Sequence, residues 1–277
     1  MGWLQRLVAF EGSTRAVGLM RIGAGLLLWS RFARELMPLR DLELDRLVIS
    51  AVFYVSTTAM VVGFATPVAM AVVSALLAVM VLHYGIAGDP EGWSHHHVHV
   101  HMLSTWWLAL TPCGRSFSVD RWLAQRRASR GGLPAPREWG PLWATRLIGV
   151  QLGTLYFWSA IDKLQQHYWT GERLQHLVMN YYTGASLPDP WWFTALLAAT
   201  GTFVVVLELV LPWGLFIRRL QPVLIPIGIV LHLLFYVLIP VNTFSLLMIC
   251  LYLAYLPPDS VHRFIDSWLG HEAGSTR

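Results

Sequence analysis

Apolar residues recur in long stretches along nearly the whole chain, separated by short polar links. A helix needs about 20 predominantly apolar residues to cross a bilayer, and most of these stretches approach that length. The pattern therefore predicts an all-α, polytopic transmembrane bundle of about eight spans. Two of the spans are short, so seven crossings and one re-entrant segment is the alternative. The predicted spans are 14–36, 47–64, 68–86, 98–111, 142–164, 193–217, 221–239 and 244–256.

The composition agrees with a membrane protein. Of the 277 residues, 55% are hydrophobic and 13% are charged, whereas soluble domains carry about 25% charged residues. This excludes an ordinary soluble enzyme, and no basic run interleaved with aromatic residues indicates nucleic-acid binding. The two cysteines, Cys113 and Cys250, have neither the spacing of a zinc site nor that of a disulfide framework.

The two sizeable polar segments predict the topology. The 115–140 segment contains six arginines and has the composition of a solvated loop, while the 165–192 segment is rich in Tyr, Trp, His and Gln. Positively charged loops stay in the cytoplasm, which assigns 115–140 to that side. Alternation of the spans then leaves both termini cytoplasmic and 165–192 on the outer face. Residues 1–277 are expected to form a single membrane domain.

Three ionisable side chains lie deepest in the predicted spans: Arg21, Glu208 and His232. A charged group in a span costs at least about 2.5 kcal/mol, so each requires an explanation. Arg21 and Glu208 lie at similar depth on different spans. We therefore expect them to form a structural ion pair, with a catalytic role as the alternative.

A histidine run at residues 95–101 is the most unusual segment of the chain. On a helix, His97 and His101 fall one turn apart on one face, which is a spacing found at metal sites. No carboxylate lies nearby to complete such a site, so a proton shuttle or hydrogen-bond partner is favoured over a metal. A haem or metal redox protein remains a further possibility, with His83, His97, His101 and His232 as candidate ligands.

Lys163 is the only lysine in a chain that otherwise uses arginine. Arginine cannot release its proton, whereas a partly desolvated lysine can serve as a base. The alternative is an interfacial anchor neutralised by Asp162. The predicted topology brings Lys163, His97 and His232 to the outer face beside an aromatic loop, as a site for a lipid-soluble aromatic ligand requires.

The order of several short motifs resembles the HTTM (horizontally transferred transmembrane) family, whose membrane domain is shared with vitamin K-dependent gamma-carboxylase. The resemblance covers most of the chain and continues through Glu208, Pro212, Arg218-Arg219, His232 and Phe244-Ser245. Its other motifs are Leu19-Met-Arg-Ile-Gly23, His97, Leu110-Thr-Pro-Cys-Gly-Arg-Ser-Phe-Ser-Val-Asp120, Gln151, Tyr156-Phe-Trp-Ser-Ala-Ile-Asp-Lys163-Leu164 and Trp169-Thr-Gly171.

The resemblance implies a chemistry for the outer-face residues. The carboxylases use a lysine to deprotonate vitamin K hydroquinone, which then reacts with molecular oxygen. Lys163 matches that lysine, and His97 and His232 resemble the family's two histidines. A quinol and oxygen are thus the implied co-substrates. His101, Trp158 and Trp169 are the further side chains expected to contact the quinol.

Two departures from the carboxylase modify this expectation. The carboxylase has two adjacent lysines where this chain has Asp162-Lys163, and the chain shows no counterpart of the large soluble region that holds the glutamate substrate. Quinol oxygenation in a bacterial inner membrane, with a separate soluble protein as partner, is therefore expected rather than protein carboxylation. A non-enzymatic membrane protein, either a maturation or export accessory or a carrier of a hydrophobic ligand, remains the alternative.

Overall fold

A computed structural model describes residues 9–37, 43–82, 96–179, 182, 190–239 and 241–270. His83, His95 and the end of the third predicted span lie outside these ranges. Each of the eight predicted segments contains a helix, and the all-α class is confirmed. The helices are α1 Arg15–Phe32, α2 Leu44–Val62, α3 Thr66–Met80, α4 His96–Ala109, α5 Val119–Arg130, α6 Thr145–Asp162, α7 Gln166–Trp169, α8 Glu172–Val178, α9 Trp191–Gly214, α10 Gln221–Leu238, α11 Asn242–Leu251 and α12 Pro258–Leu269.

Three helices in the described ranges, α2, α9 and α10, are long and apolar enough to cross a membrane. A fourth crossing results if the segments 243–254 and 258–269, which are bent by 105° at their junction, form one broken span. The α1 helix carries Arg15, Arg21 and Arg31, and α4 has only 14 residues. The described residues thus support a membrane protein, with three or four candidate spans of the eight predicted.

Both segments predicted as loops contain helices. Within 115–140, the Ser118 hydroxyl accepts a hydrogen bond from the Arg121 backbone amide at 2.9 Å and caps α5. Within 165–192 lie the short helices α7 and α8. A small antiparallel ribbon, β1 Glu11–Ser13 with β2 Trp139–Pro141, is the only β-structure in the described residues.

The chain forms two compact units, one comprising residues 1–148 and 250–277 and the other residues 149–249. In the first unit, Arg15 donates to Glu138 at 2.8 Å and to Asp266 at 2.5 Å. Arg121 also pairs with Glu138, at 3.3 Å. These partly buried ion pairs link the start of α1 to the basic segment and to α12.

The start of α3 is held by a single carboxylate. Asp120 accepts hydrogen bonds from the Ala65 amide at 2.9 Å, from the Thr66 amide at 2.8 Å and from the Thr66 hydroxyl at 2.7 Å. Ala65 has a left-handed backbone with φ 44°. Asp120 therefore satisfies amides at the helix terminus that would otherwise lack partners and holds an unfavourable turn in place.

We expect Asp120→Asn to lower the free energy of unfolding by about 1–3 kcal/mol, because an amide offers one acceptor oxygen and directs its NH₂ group at donors. Thermal unfolding of the detergent-purified protein, followed by tryptophan fluorescence, measures the loss. The control is Asp162→Asn, since Asp162 is exposed at the end of α6. Equal stability of the two variants would contradict the capping role.

Candidate functional site

The second unit contains a buried charge pair formed by the only lysine. The Lys163 ammonium lies 2.8 Å from Glu208 Oε2 and 3.1 Å from Oε1, and it also donates to the Ser159 hydroxyl. The Glu208 side chain is 3% exposed and that of Lys163 is 17% exposed. The three N–H donors of the ammonium are thus directed to the carboxylate and to Ser159, which lies one turn earlier on α6.

Small residues allow the helices that carry this pair to approach closely. A Cβ atom on Gly153 of α6 would lie 3.4 Å from the Pro212 carbonyl oxygen of α9. A Cβ atom on Gly201 of α9 would lie 2.3 Å from the Tyr168 carbonyl oxygen, so no larger residue fits there without a shift. Close backbone approach at small residues is a common mode of packing between membrane helices. The Gly153 contact lies between α6 and α9, whereas the Gly201 contact packs α9 against α7.

A second polar pair lies in the same unit. Tyr156 and His232 are joined by a hydrogen bond of 2.5 Å between the phenol oxygen and Nε2, and both side chains are buried. The rings of Phe235 and Phe244 stand edge-on to the imidazole, each with its centroid 5.9 Å away. The pair can pass a proton between a phenol and an imidazole in a mainly apolar setting.

The two pairs share one face of α6. Tyr156, Ser159 and Lys163 are spaced by three and four residues, so their side chains line a single stripe of the helix. This stripe presents a phenol, a hydroxyl and an ammonium, with Glu208 and His232 supplied by α9 and α10. Sequence reasoning missed Ser159 and Tyr156 as members of the site, although their helical spacing from Lys163 could have indicated them.

Arg21 and Glu208, which the sequence predicts to form an ion pair, each have partners within their own unit, and a pair between them stays a prediction. Glu208 is neutralised by Lys163 in its own unit. Arg21, fully buried in the first unit, donates to the Phe117 carbonyl oxygen at 2.6 Å and to the Cys113 carbonyl oxygen at 3.4 Å. A lysine of the same unit thus partners Glu208, and carbonyl groups of the turn after α4 partner Arg21.

Asp162 and the two tryptophans expected near Lys163 have different surroundings. Asp162 is exposed, and the carboxylate that the structure places against Lys163 is Glu208 rather than the Asp162 of the alternative interpretation. Trp158 is 63% exposed and contacts the edge of Phe157, and it does not share the Lys163 stripe. Trp169 donates its indole N–H to the Leu164 carbonyl oxygen at 3.2 Å, close to the end of α6.

His97 and His101, the two α4 histidines expected at the site, belong to the first unit. Arg31 Nε donates to His97 Nε2 at 3.1 Å, which leaves that nitrogen as an acceptor. His101 is completely buried, and neither of its ring nitrogens has a hydrogen-bond partner among the described residues. In the same residues, no three His, Cys, Asp or Glu side chains gather as a metal site would require. A shared site for His97, Lys163 and His232 stays a prediction.

The comparisons with known proteins identify one family. The family model described as HTTM domain matches residues 34–259, which include α2 to α11 and every residue of the two polar pairs. No curated protein and no solved structure matches the chain. Because the matched region is most of the chain and contains the apolar helices described above, this chain belongs to the HTTM family of integral membrane proteins.

Proposed function

We propose that this protein is a quinol-dependent oxygenase, related in its chemistry to the membrane core of the vitamin K-dependent carboxylase. The observation that carries the proposal is the buried pair of Lys163 and Glu208 beside the Ser159 hydroxyl. A lone lysine at the end of an apolar helix matches the base expected from the family. Glu208, its carboxylate partner, can accept the proton that the ammonium group releases.

The residues of the second unit fit a phenolic co-substrate. A bound hydroquinone supplies the electrons with which molecular oxygen is reduced. The Lys163 ammonium first passes a proton to Glu208, and the resulting neutral amine accepts the proton of the quinol hydroxyl group. The ammonium that forms again lies beside the negatively charged quinol oxygen. Transfer to Glu208 is favourable because a neutral carboxylic acid is less costly in an apolar setting than a carboxylate. His232, with Tyr156, provides a second proton relay, and His97 is the further hydrogen-bond partner.

The test is oxygen consumption with a reduced quinone by the protein reconstituted in liposomes. We expect Lys163→Arg to lower the rate by about 100-fold or more, because arginine retains the charge but cannot release a proton. Chromatography of the extracted quinone identifies the product. Asp162→Asn is the matched control, since it alters the adjacent but exposed carboxylate and should leave the rate unchanged.

Two results would contradict the proposal. One is a folded Lys163→Arg variant as active as the wild-type protein. The other is wild-type protein that consumes no oxygen with any menaquinol, ubiquinol or vitamin K hydroquinone supplied. Either would favour the non-enzymatic alternative, in which the Lys163–Glu208 pair serves only to neutralise two charges within the membrane. That alternative is itself supported by the complete engagement of the ammonium group.

We further propose that the protein lies in a bacterial inner membrane with about eight spans and with both termini in the cytoplasm. The support is the six-arginine segment 115–140, to which the positive-inside rule applies. In intact cells, a Ser129→Cys probe should be protected from a membrane-impermeant maleimide and a Thr170→Cys probe should react. Both positions are exposed.

The native cysteines interfere little with this labelling experiment. Cys113 is buried against the Met70 sulfur, and burial raises the pKa of the Cys113 thiol to about 11. Cys250 is half-buried. Labelling of the wild-type protein, which contains only the two native cysteines, measures the background from their thiols. The reverse labelling pattern, with the Ser129→Cys probe reactive and the Thr170→Cys probe protected, would overturn the orientation.

A further inference from the structure

A cleft of about 730 Å³ opens in the basic segment of the first unit. Its walls come from the turn after α4, from the start of α5 and from the residues before β2. Arg115, Arg121 and Arg137 line it together with Asp120 and Trp139. It lies within one unit and includes none of the side chains of the proposed oxygenase site.

The cleft is braced from within by one of its arginines. Arg121 donates to the Arg115 carbonyl oxygen at 3.2 Å and to the Pro136 carbonyl oxygen at 3.0 Å. Its Nε pairs with Glu138 at 3.3 Å. The two walls are therefore held together by hydrogen bonds, and the cleft is a formed structure rather than a gap between loose segments.

The charge of the lining is positive. The single carboxylate, Asp120, is occupied by the Ala65 and Thr66 donors that it caps. Arg115 uses one guanidinium nitrogen to bind the Trp139 carbonyl oxygen. Arg137 makes no hydrogen bond or ion pair with any residue that the structure describes, and it is exposed. Two guanidinium groups thus retain N–H donors for a ligand.

We propose that this cleft binds a phosphate group. Planar guanidinium groups bind phosphate oxygens through paired, charge-assisted hydrogen bonds. The three arginines that line this cleft can supply such bonds. The phosphate can belong to the headgroup of an anionic phospholipid or to a small soluble phosphate ester. The exposed indoles of Trp122 and Trp139, at 48% and 42%, are of the kind that lies at the headgroup level of a membrane.

The experiment compares both sources on the detergent-purified, delipidated protein. Native mass spectrometry measures binding of phosphatidylglycerol against phosphatidylcholine, and calorimetric titration measures binding of glycerol 3-phosphate without lipid. We expect Arg137→Gln to weaken binding of the phosphate-bearing ligand about tenfold, which is the loss of one charge-assisted contact. Since the Arg137 side chain makes no hydrogen bond or ion pair with any described residue, the variant should fold normally.

Arg130→Gln is the matched control, because it removes the same charge from an exposed position of α5 outside the cleft. An Arg137-dependent preference for phosphatidylglycerol identifies a lipid headgroup as the ligand. Arg137-dependent binding of glycerol 3-phosphate without that preference identifies a soluble phosphate. Unchanged binding in Arg137→Gln, or equal weakening in Arg130→Gln, overturns the site.

Discussion

Lys163→Met is expected to lower the free energy of unfolding by about 3–5 kcal/mol, because it leaves a buried carboxylate without its counter-charge. Glu208 is 3% exposed, and Lys163 is the cation that the structure places against it. Methionine resembles the lysine stem in length and flexibility, so the loss of charge rather than of packing dominates the effect. Thermal unfolding in detergent, followed by tryptophan fluorescence, measures the change.

A second substitution separates the charge pair from other causes. Lys163→Met combined with Glu208→Leu should recover most of the lost stability, because neither unpaired charge remains. Arg173→Met is the control, since it removes a cation from an exposed position of α8. A double variant no more stable than Lys163→Met alone would show that the pair does not explain the loss. This measurement is independent of whether the protein oxidises a quinol.

Arg21→Met is expected to lower the free energy of unfolding by about 2–4 kcal/mol, because two carbonyl groups lose a charged donor. Arg21 is fully buried and binds the carbonyl oxygens of Phe117 and Cys113. Phe117 has a left-handed backbone with φ 52°, a conformation that costs a non-glycine residue about 1–2 kcal/mol. The hydrogen bond from Arg21 stabilises this turn, and the same thermal unfolding measurement reports its loss.

Glycine substitutions test the same contact without changing charge. A Cβ atom on Gly63 would overlap the Arg21 guanidinium and the Ser118 Cβ atom, whereas one on Gly132 would meet nothing within 4 Å. Both glycines have positive φ, of 72° and 65°, so both alanine variants pay a similar backbone cost. We expect Gly63→Ala to be the less stable by at least about 2 kcal/mol. Equal stabilities would show that Arg21 and Ser118 both move aside without loss.

The sequence by itself determined the class of the protein and the residues with unusual chemistry. Apolar stretches of membrane length predicted helices in eight segments, and all eight contain one. The order of its motifs predicted the HTTM family, and the family model confirms it over residues 34–259. Both inferences succeed because hydrophobic periodicity and motif order are properties of the chain itself, present before any tertiary contact forms.

Only the tertiary structure decided which charges meet. Depth along a span indicated Arg21 as a partner of Glu208, and adjacency offered Asp162 as an alternative partner of Lys163. In the structure, Lys163 binds Glu208, which lies 45 residues away, and Arg21 binds backbone carbonyl groups. The physical reason is that a buried charge takes the partner that helix packing and side-chain direction bring within hydrogen-bond distance. Neither sequence separation nor depth contains that information.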